Sequence, residues 1–356
     1  MKPIYTLILG VCLLGVLSCS TDDSSVTVPS TDLYFPPNNS DTWETTAAED
    51  LNWDTSQLPD LLAFLEEKNS KAFIILHQGK IVEEHYFNSH NSTTPWYWAS
   101  AGKTLTTAVT GIAEAEGLID LQSNVSDYLG TGWTNAPSNK EALITNEHLL
   151  QMTSGLDDGL GDGTSPSDLQ YLEDAGQRWA YHNVYVKLQD VIATASLETW
   201  SNYFNGALKT KIGMSGAWLN GDDFNVYWST ARSMARFGLL SLANGNWNGE
   251  QIVPELFMYD ATHATQTLNE AYGYLWWLNG SGTYRLPQTQ YEFQGALIPN
   301  APSDMFAALG KNDQKIYVIP SQELVIIRMG EAADEENFAL SNFDNELWEK
   351  LNAFMN

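Results

Sequence analysis

WYWASAGKTLTTAVTGIAEAEGLIDL, residues 96–121, is the stretch on which the reading of this chain turns. From 101 to 116 the apolar positions Leu105, Ala108, Val109, Ile112 and Ala115 recur at helical spacing, and Gly117 is placed to stop the helix. Ser100 and Lys103 stand at its head. Three residues along a helix is slightly less than one turn, so the two side chains share a face and their tips can meet. A serine hydroxyl needs a neighbour that takes its proton before it attacks a carbonyl, and a lysine serves once burial lowers its pKa. Free N–H groups at the helix start would favour an oxyanion there. The same residues also fit a plain helix start, with Ser100 as cap and Lys103 reaching to solvent.

Outward from this helix, residues 72–87 (AFIILHQGKIVEEHYF) predict two strands around a Gln78-Gly79 turn. Downstream, helices are expected near 146–152, across 184–214 and across 229–245. After about residue 270, YGYLWWLN, MFAALGKNDQKIYVIP and ELVIIRMG have the texture of strands, and NFDNELWEKLNAFM that of a closing amphipathic helix. Strands at both ends of the chain imply one antiparallel sheet flanked by helices, an α+β fold with a large, mostly helical insertion and a cleft where the two parts meet. The expected sheet lobe is 49–98 with 265–356, and the helical lobe is 99–264.

A hydrophobic fraction of 43% with 13 Trp is that of a folded domain. With 44 acidic against 17 basic residues the net charge is −27, which repels nucleic acid and anionic lipid surfaces and removes both from the expected partners. At the amino terminus, Lys2 and the apolar run 4–17 (IYTLILGVCLLGVL) form an export signal over 1–18, too short for a comfortable membrane span. The ending VLSC resembles a bacterial lipoprotein signal, which implies acylation of Cys19 and anchoring at the outer membrane or cell surface. Cys12 would leave with the signal, so no disulfide is expected. Residues 19–48, rich in Ser, Thr, Asp and Pro, read as a flexible tether ahead of a domain at 49–356.

ASAGKTLTTAVTGIAEAEGLIDLQSNVSDYL followed by ITNEHLLQMTSGL resembles the serine β-lactamase and penicillin-binding-protein superfamily. The likeness is to its class C-like branch of esterases, D-aminopeptidases and 6-aminohexanoate-dimer hydrolases. It continues in order through RWAYHNVYVKLQDVIATAS, IGMSGAW, STARSMARFGLLSLANGNWNGEQIV, YGYLWW and KIYVIPSQELVIIRMG, roughly residues 50–350.

The resemblance implies an acyl-enzyme on Ser100 with Lys103 as its partner, no cofactor and no metal. It also implies a Tyr-x-Asn motif in the cleft. Three copies exist, at Tyr86, Tyr181 and Tyr203, and only Tyr181 follows the nucleophile by about eighty residues. The role of general base or acid therefore goes to Tyr181, and that of orienting substrate or Lys103 to Asn183. Where the family carries Lys-Thr-Gly, this chain has Ala308, Leu309 and Gly310. Gly310 permits close backbone approach, and the N–H of Lys311 would pair with that of Ser100 as the oxyanion hole. Without the Lys-Thr pair, β-lactam hydrolysis and D-Ala-D-Ala cleavage become less expected than hydrolysis of an ester or small amide. A silent binding protein of the same fold is the alternative from another class.

No Gly-x-Ser-x-Gly elbow and no His-Glu-x-x-His occurs. His148 and His182 are expected to make local hydrogen bonds. The acidic loop with Asp157, Asp158 and Asp162 lacks calcium-loop spacing. Trp96, Trp98, Trp179, Trp276 and Trp277 are candidates for the cleft wall or the core.

Overall fold

Six strands form the sheet on which everything else is mounted, in the spatial order Lys80–Tyr86, Ser70–His77, Leu324–Gly330, Gln314–Ile319, Phe306–Gly310 and Trp277–Leu278. All neighbours run antiparallel. The computed structural model describes residues 33–221, 223–334 and 340–356. The central strands read SKAFIILH, QKIYVI and LVIIRMG because they are buried on both faces, which calls for nearly continuous apolar runs. The hairpin at Gln78-Gly79 turns through left-handed residues, with φ of 50° and 81°.

Helices cover both faces. On one side Gly238, in the helix Ala231–Leu242, lies against Val325 and Ile316, where any Cβ would collide. On the other, the closing helix Asn342–Met355 begins at a Ser341/Asp344 capping box and stacks with Leu58–Glu67 through Phe343 and Phe64. The helix at 231–242 therefore belongs to the sheet lobe, which corrects the expected helical-lobe boundary at 264.

Three further expectations need correction. The helix predicted across 184–214 is broken: Val186–Ser196 ends at Leu197 with φ 59°, and Trp200–Phe204 restarts under a Thr199 cap. Of YGYLWWLN only Trp277–Leu278 is a strand, because Leu275 turns left-handed at φ 61°. Residues 33–48 are not a free tether. Tyr34 N donates to Gln78 O at 3.0 Å, and Trp43 Nε1 donates to Gly79 O at 2.7 Å. The buried Arg236 guanidinium donates to the carbonyls of Pro36, Pro37 and Ser40 at 3.3, 2.8 and 3.2 Å. The export signal at 1–18 and Cys19 lie outside the described residues.

Candidate active site

Trp98 sets the position of Ser100. Its ring is fully buried, its Nε1 donates to Ser229 Oγ at 2.8 Å, and its N–H donates to Tyr227 O at 2.9 Å. Ala99 then takes φ 47°, a left-handed conformation that costs an ordinary side chain roughly 1 kcal/mol, so the turn is held by its surroundings. Ser100, expected at the start of the α-helix, lies instead in a 3-10 turn, Ala99–Gly102, that runs into the α-helix Lys103–Ala115. In a 3-10 turn side chains three apart eclipse. Ser100 and Lys103 thus meet more directly than an α-helix would allow.

Lys103 is 1% exposed, and its Nζ donates to Ser100 Oγ at 2.7 Å and to Asn183 Oδ1 at 3.0 Å. The rings of Tyr185 and Tyr181 lie 4.7 and 5.0 Å from it. Facing rings favour the ammonium by about 0.5–2 kcal/mol, less than burial of a charge costs. Burial dominates and pulls the pKa down to about 7, against the charge of Asp162, which raises it. Burial therefore brings the neutral amine within reach at neutral pH.

Tyr181 completes the group. Its hydroxyl is closed to solvent and makes no hydrogen bond of full geometry among the described residues, although Ser100 lies near enough to act on it. Burial pushes the phenol up to about 12, with Ser100 pulling the other way, so Tyr181 keeps its proton at neutral pH. Trp179, Tyr272 and Trp277 pack around its ring at centroid distances of 6.1, 6.0 and 5.7 Å. Asn183 is fixed in turn by Asp162, whose backbone and side-chain oxygens accept from its Nδ2 at 3.1 and 3.2 Å. Ser100 and Tyr181 keep some exposure, whereas Lys103 and Asn183 are buried.

Gly310 lies against the turn that carries Ser100. A Cβ there would fall 2.5 Å from Trp98 O and 2.9 Å from Ala101 N. Only glycine lets this strand come so near, and the next residue, Lys311, carries the backbone N–H named for the oxyanion. Ala308 and Leu309 are buried and offer no polar group.

The other candidates fall elsewhere. Tyr86 bonds Glu84 at 2.6 Å on an edge strand, and Tyr203 bonds Glu116 at 2.7 Å beyond the far end of the helix Lys103–Ala115. His148 accepts from Thr145 N in a capping box, and His182 Nδ1 accepts from Val184 N. Burial holds His182 neutral, with its pKa pulled down to about 3. Asp158 pairs with Arg178 at 2.7 Å, and Asp157 accepts from Gly159 N at 2.8 Å. Trp98 and Trp276 are core, Trp96 donates to Gly330 O, and Trp179 and Trp277 back the Tyr181 ring. Asp162 and Tyr185 were not assigned to the site from sequence. Spacing carried no signal for Tyr185, because Tyr181 lies ahead of the short 3-10 turn Asn183–Tyr185 and on no helix.

A family model described as Beta-lactamase matches residues 65–345. An uncharacterized protein of Alkalihalophilus pseudofirmus is 27% identical over 304 residues, 74% of this chain and 84% of that protein. A candidate 6-aminohexanoate-dimer hydrolase from Bacillus anthracis superposes with a TM-score of 0.68 at 20% identity, covering 91% of this chain and 90% of that one. EstCE1, a hydrolase with promiscuous acyltransferase activity, superposes with a TM-score of 0.63 at 11% identity, covering 86% and 99%.

Proposed function

The chain belongs to the Beta-lactamase family, and from that premise we propose that it is a serine hydrolase cleaving an ester or small amide through an acyl-enzyme on Ser100. The observation that carries this reading is the buried Lys103 amine, 2.7 Å from Ser100 Oγ with a pKa near 7. A general base works best when its pKa lies near the working pH.

In the proposed cycle, neutral Lys103 takes the Ser100 proton and Oγ adds to the substrate carbonyl. The oxyanion is held by the N–H groups of Ser100 and Lys311. Tyr181, still protonated, gives its proton to the leaving oxygen or nitrogen and is reprotonated by the Lys103 ammonium. Water then attacks the acyl-enzyme, giving one proton to the same amine, which passes it to Ser100 Oγ as the acyl C–O bond breaks and the acid is released. Asn183, pinned by Asp162, keeps Lys103 aimed at Ser100. The buried Ala308 and Leu309 support an ester or small amide over a β-lactam or D-Ala-D-Ala peptide, whose carboxylate would find no partner at those two positions.

Turnover of p-nitrophenyl butyrate by the native protein, and its loss in Ser100→Ala and Lys103→Ala, is the expected result; unchanged turnover in both rejects Ser100 and Lys103 as the machinery, and no turnover in the native protein favours a silent binding protein. Nitrocefin, short-chain esters, D-aminoacyl amides and aminohexanoate dimers, assayed side by side, then set the substrate class. We further propose export and acylation at Cys19, with the membrane engaged through that anchor alone. Retention of the Cys19→Ala chain in the membrane fraction would overturn it.

A further inference from the structure

The turn of residues 311–313 joins the strand Phe306–Gly310 to the strand Gln314–Ile319, directly after the glycine that lies against Trp98 and Ala101. Two of its three residues are left-handed, Asn312 at φ 60° and Asp313 at φ 59°. Asn and Asp tolerate that region better than other side chains, yet a short turn built this way needs outside support.

The support comes from a buried cluster that the proposed cycle does not use. Arg328 has no exposed surface, and all five of its N–H groups have acceptors. Nη1 donates to Asn312 O at 3.0 Å and Asp313 O at 3.1 Å, Nη2 to Lys68 O at 2.6 Å and Glu331 O at 2.9 Å, and Nε to Ser70 Oγ at 3.0 Å. Gly330 leaves the space that the guanidinium fills. Gln314 Nε2 donates to Asn312 O at 2.8 Å and Gly330 O at 2.6 Å. The buried Asp313 carboxylate accepts from Ala333 N and Ser341 Oγ, each at 3.0 Å, and lies 3.1 Å from Lys315 Nζ. On the outer side, Asn312 Nδ2 donates to Tyr97 Oη at 2.5 Å, three residues before Ser100. Burying so much charge gains little net stability over an apolar cluster of the same volume; what it supplies is one fixed geometry.

We propose that Arg328, with Gln314 and Asp313, is a positioning unit for the oxyanion hole: it clamps the turn of residues 311–313 so that the Lys311 N–H stays aimed at the carbonyl oxygen of a substrate on Ser100. This rests on the serine-hydrolase reading above. Displacing one oxyanion donor typically costs about 10²–10³ in kcat.

The test uses the full chain with Arg328→Lys, which keeps the charge and loses the fork, and Asn312→Gly, which keeps the left-handed turn and cuts its tie to Tyr97. Kinetics on p-nitrophenyl butyrate are read with the affinity of phenylboronic acid, a mimic of the tetrahedral adduct. The expected result is a kcat lowered roughly tenfold or more in Arg328→Lys and severalfold in Asn312→Gly, with KM within about twofold. Boronate affinity falls by the same factor, and the acid limb of the pH profile stays in place because Lys103 is untouched. A folded variant with unchanged kcat and boronate affinity overturns the proposal, as does one in which kcat, KM and the pH limb all move, the pattern of general damage. If Arg328→Lys does not fold, Asn312→Gly decides. Absence of Ser100-dependent turnover in the native protein removes the hydrolase reading and this proposal together, whereas an active native protein with an indifferent turn removes this proposal alone.

Discussion

Lys103 Nζ donates to Ser100 Oγ at 2.7 Å from a position closed to water, and burial holds that amine at a pKa of about 7. If the neutral amine is the base, kcat/KM for a neutral ester rises with pH and levels off above an acid limb near 7. Asp162 raises the Lys103 pKa by its charge. Asp162→Asn, which keeps an oxygen for Asn183, therefore moves the limb to lower pH. A limb that stays or moves upward contradicts the assignment.

Tyr181 is held protonated, with its phenol pushed up to about 12. As a proton donor to the leaving group it matters most where that group is a poor one. Tyr181→Phe is expected to lower kcat on an alkyl ester or amide by roughly 10²–10⁴. The loss on a p-nitrophenyl ester, whose leaving group departs without a proton, is expected to be much smaller. Equal losses on both substrates would count against the acid role.

A lysine whose folded pKa is depressed binds fewer protons folded than unfolded between about 7 and its ordinary value near 10.5. Stability consequently rises with pH across that window, and the full penalty is present below it. Lys103→Met, which removes the penalty, is expected to abolish turnover and to stabilise the fold at pH 7 by on the order of 1–3 kcal/mol. Denaturant melts from pH 6 to 10 check the sign: the advantage is largest at low pH and shrinks as pH rises.

Gly310→Ala sets a methyl group 2.5 Å from Trp98 O and 2.9 Å from Ala101 N. Neither atom can yield without moving the nucleophile turn. Activity is expected to fall by at least roughly tenfold, with a stability loss of about 1–3 kcal/mol from the overpacked backbone. Normal kcat in a folded Gly310→Ala protein would show that the strand and the turn are not coupled.

Arg236 ties residues 36–40 to the sheet-packed helix through three of their carbonyls and reaches Ile212 O at 3.0 Å. Arg236→Ala is expected to cost about 2–4 kcal/mol and to open residues 33–47 to proteases before the rest of the domain. Limited proteolysis with mass spectrometry reads this directly.

Much of the fold and part of the site were legible along the chain, because the patterns involved are local. The hairpin turn, the apolar runs of the closing strands, the amphipathic closing helix and the three-residue step from Ser100 to Lys103 are each contained in one short segment. Placing Tyr181 and Asn183 beside that pair took the family likeness, since nothing in residues 181–183 alone distinguishes them from Tyr203-Phe204-Asn205. Three-dimensional packing settled the rest. It made a buried amine out of a lysine whose sequence fits a solvent-reaching side chain equally well, and it turned an acidic loop residue, Asp162, into the anchor of Asn183. It also laid a Pro- and Ser-rich stretch over an arginine some two hundred residues away, and enclosed Arg328 behind the turn that carries Lys311. Desolvation and long-range hydrogen bonding depend on which distant segments close around a group, and no spacing along the chain encodes that.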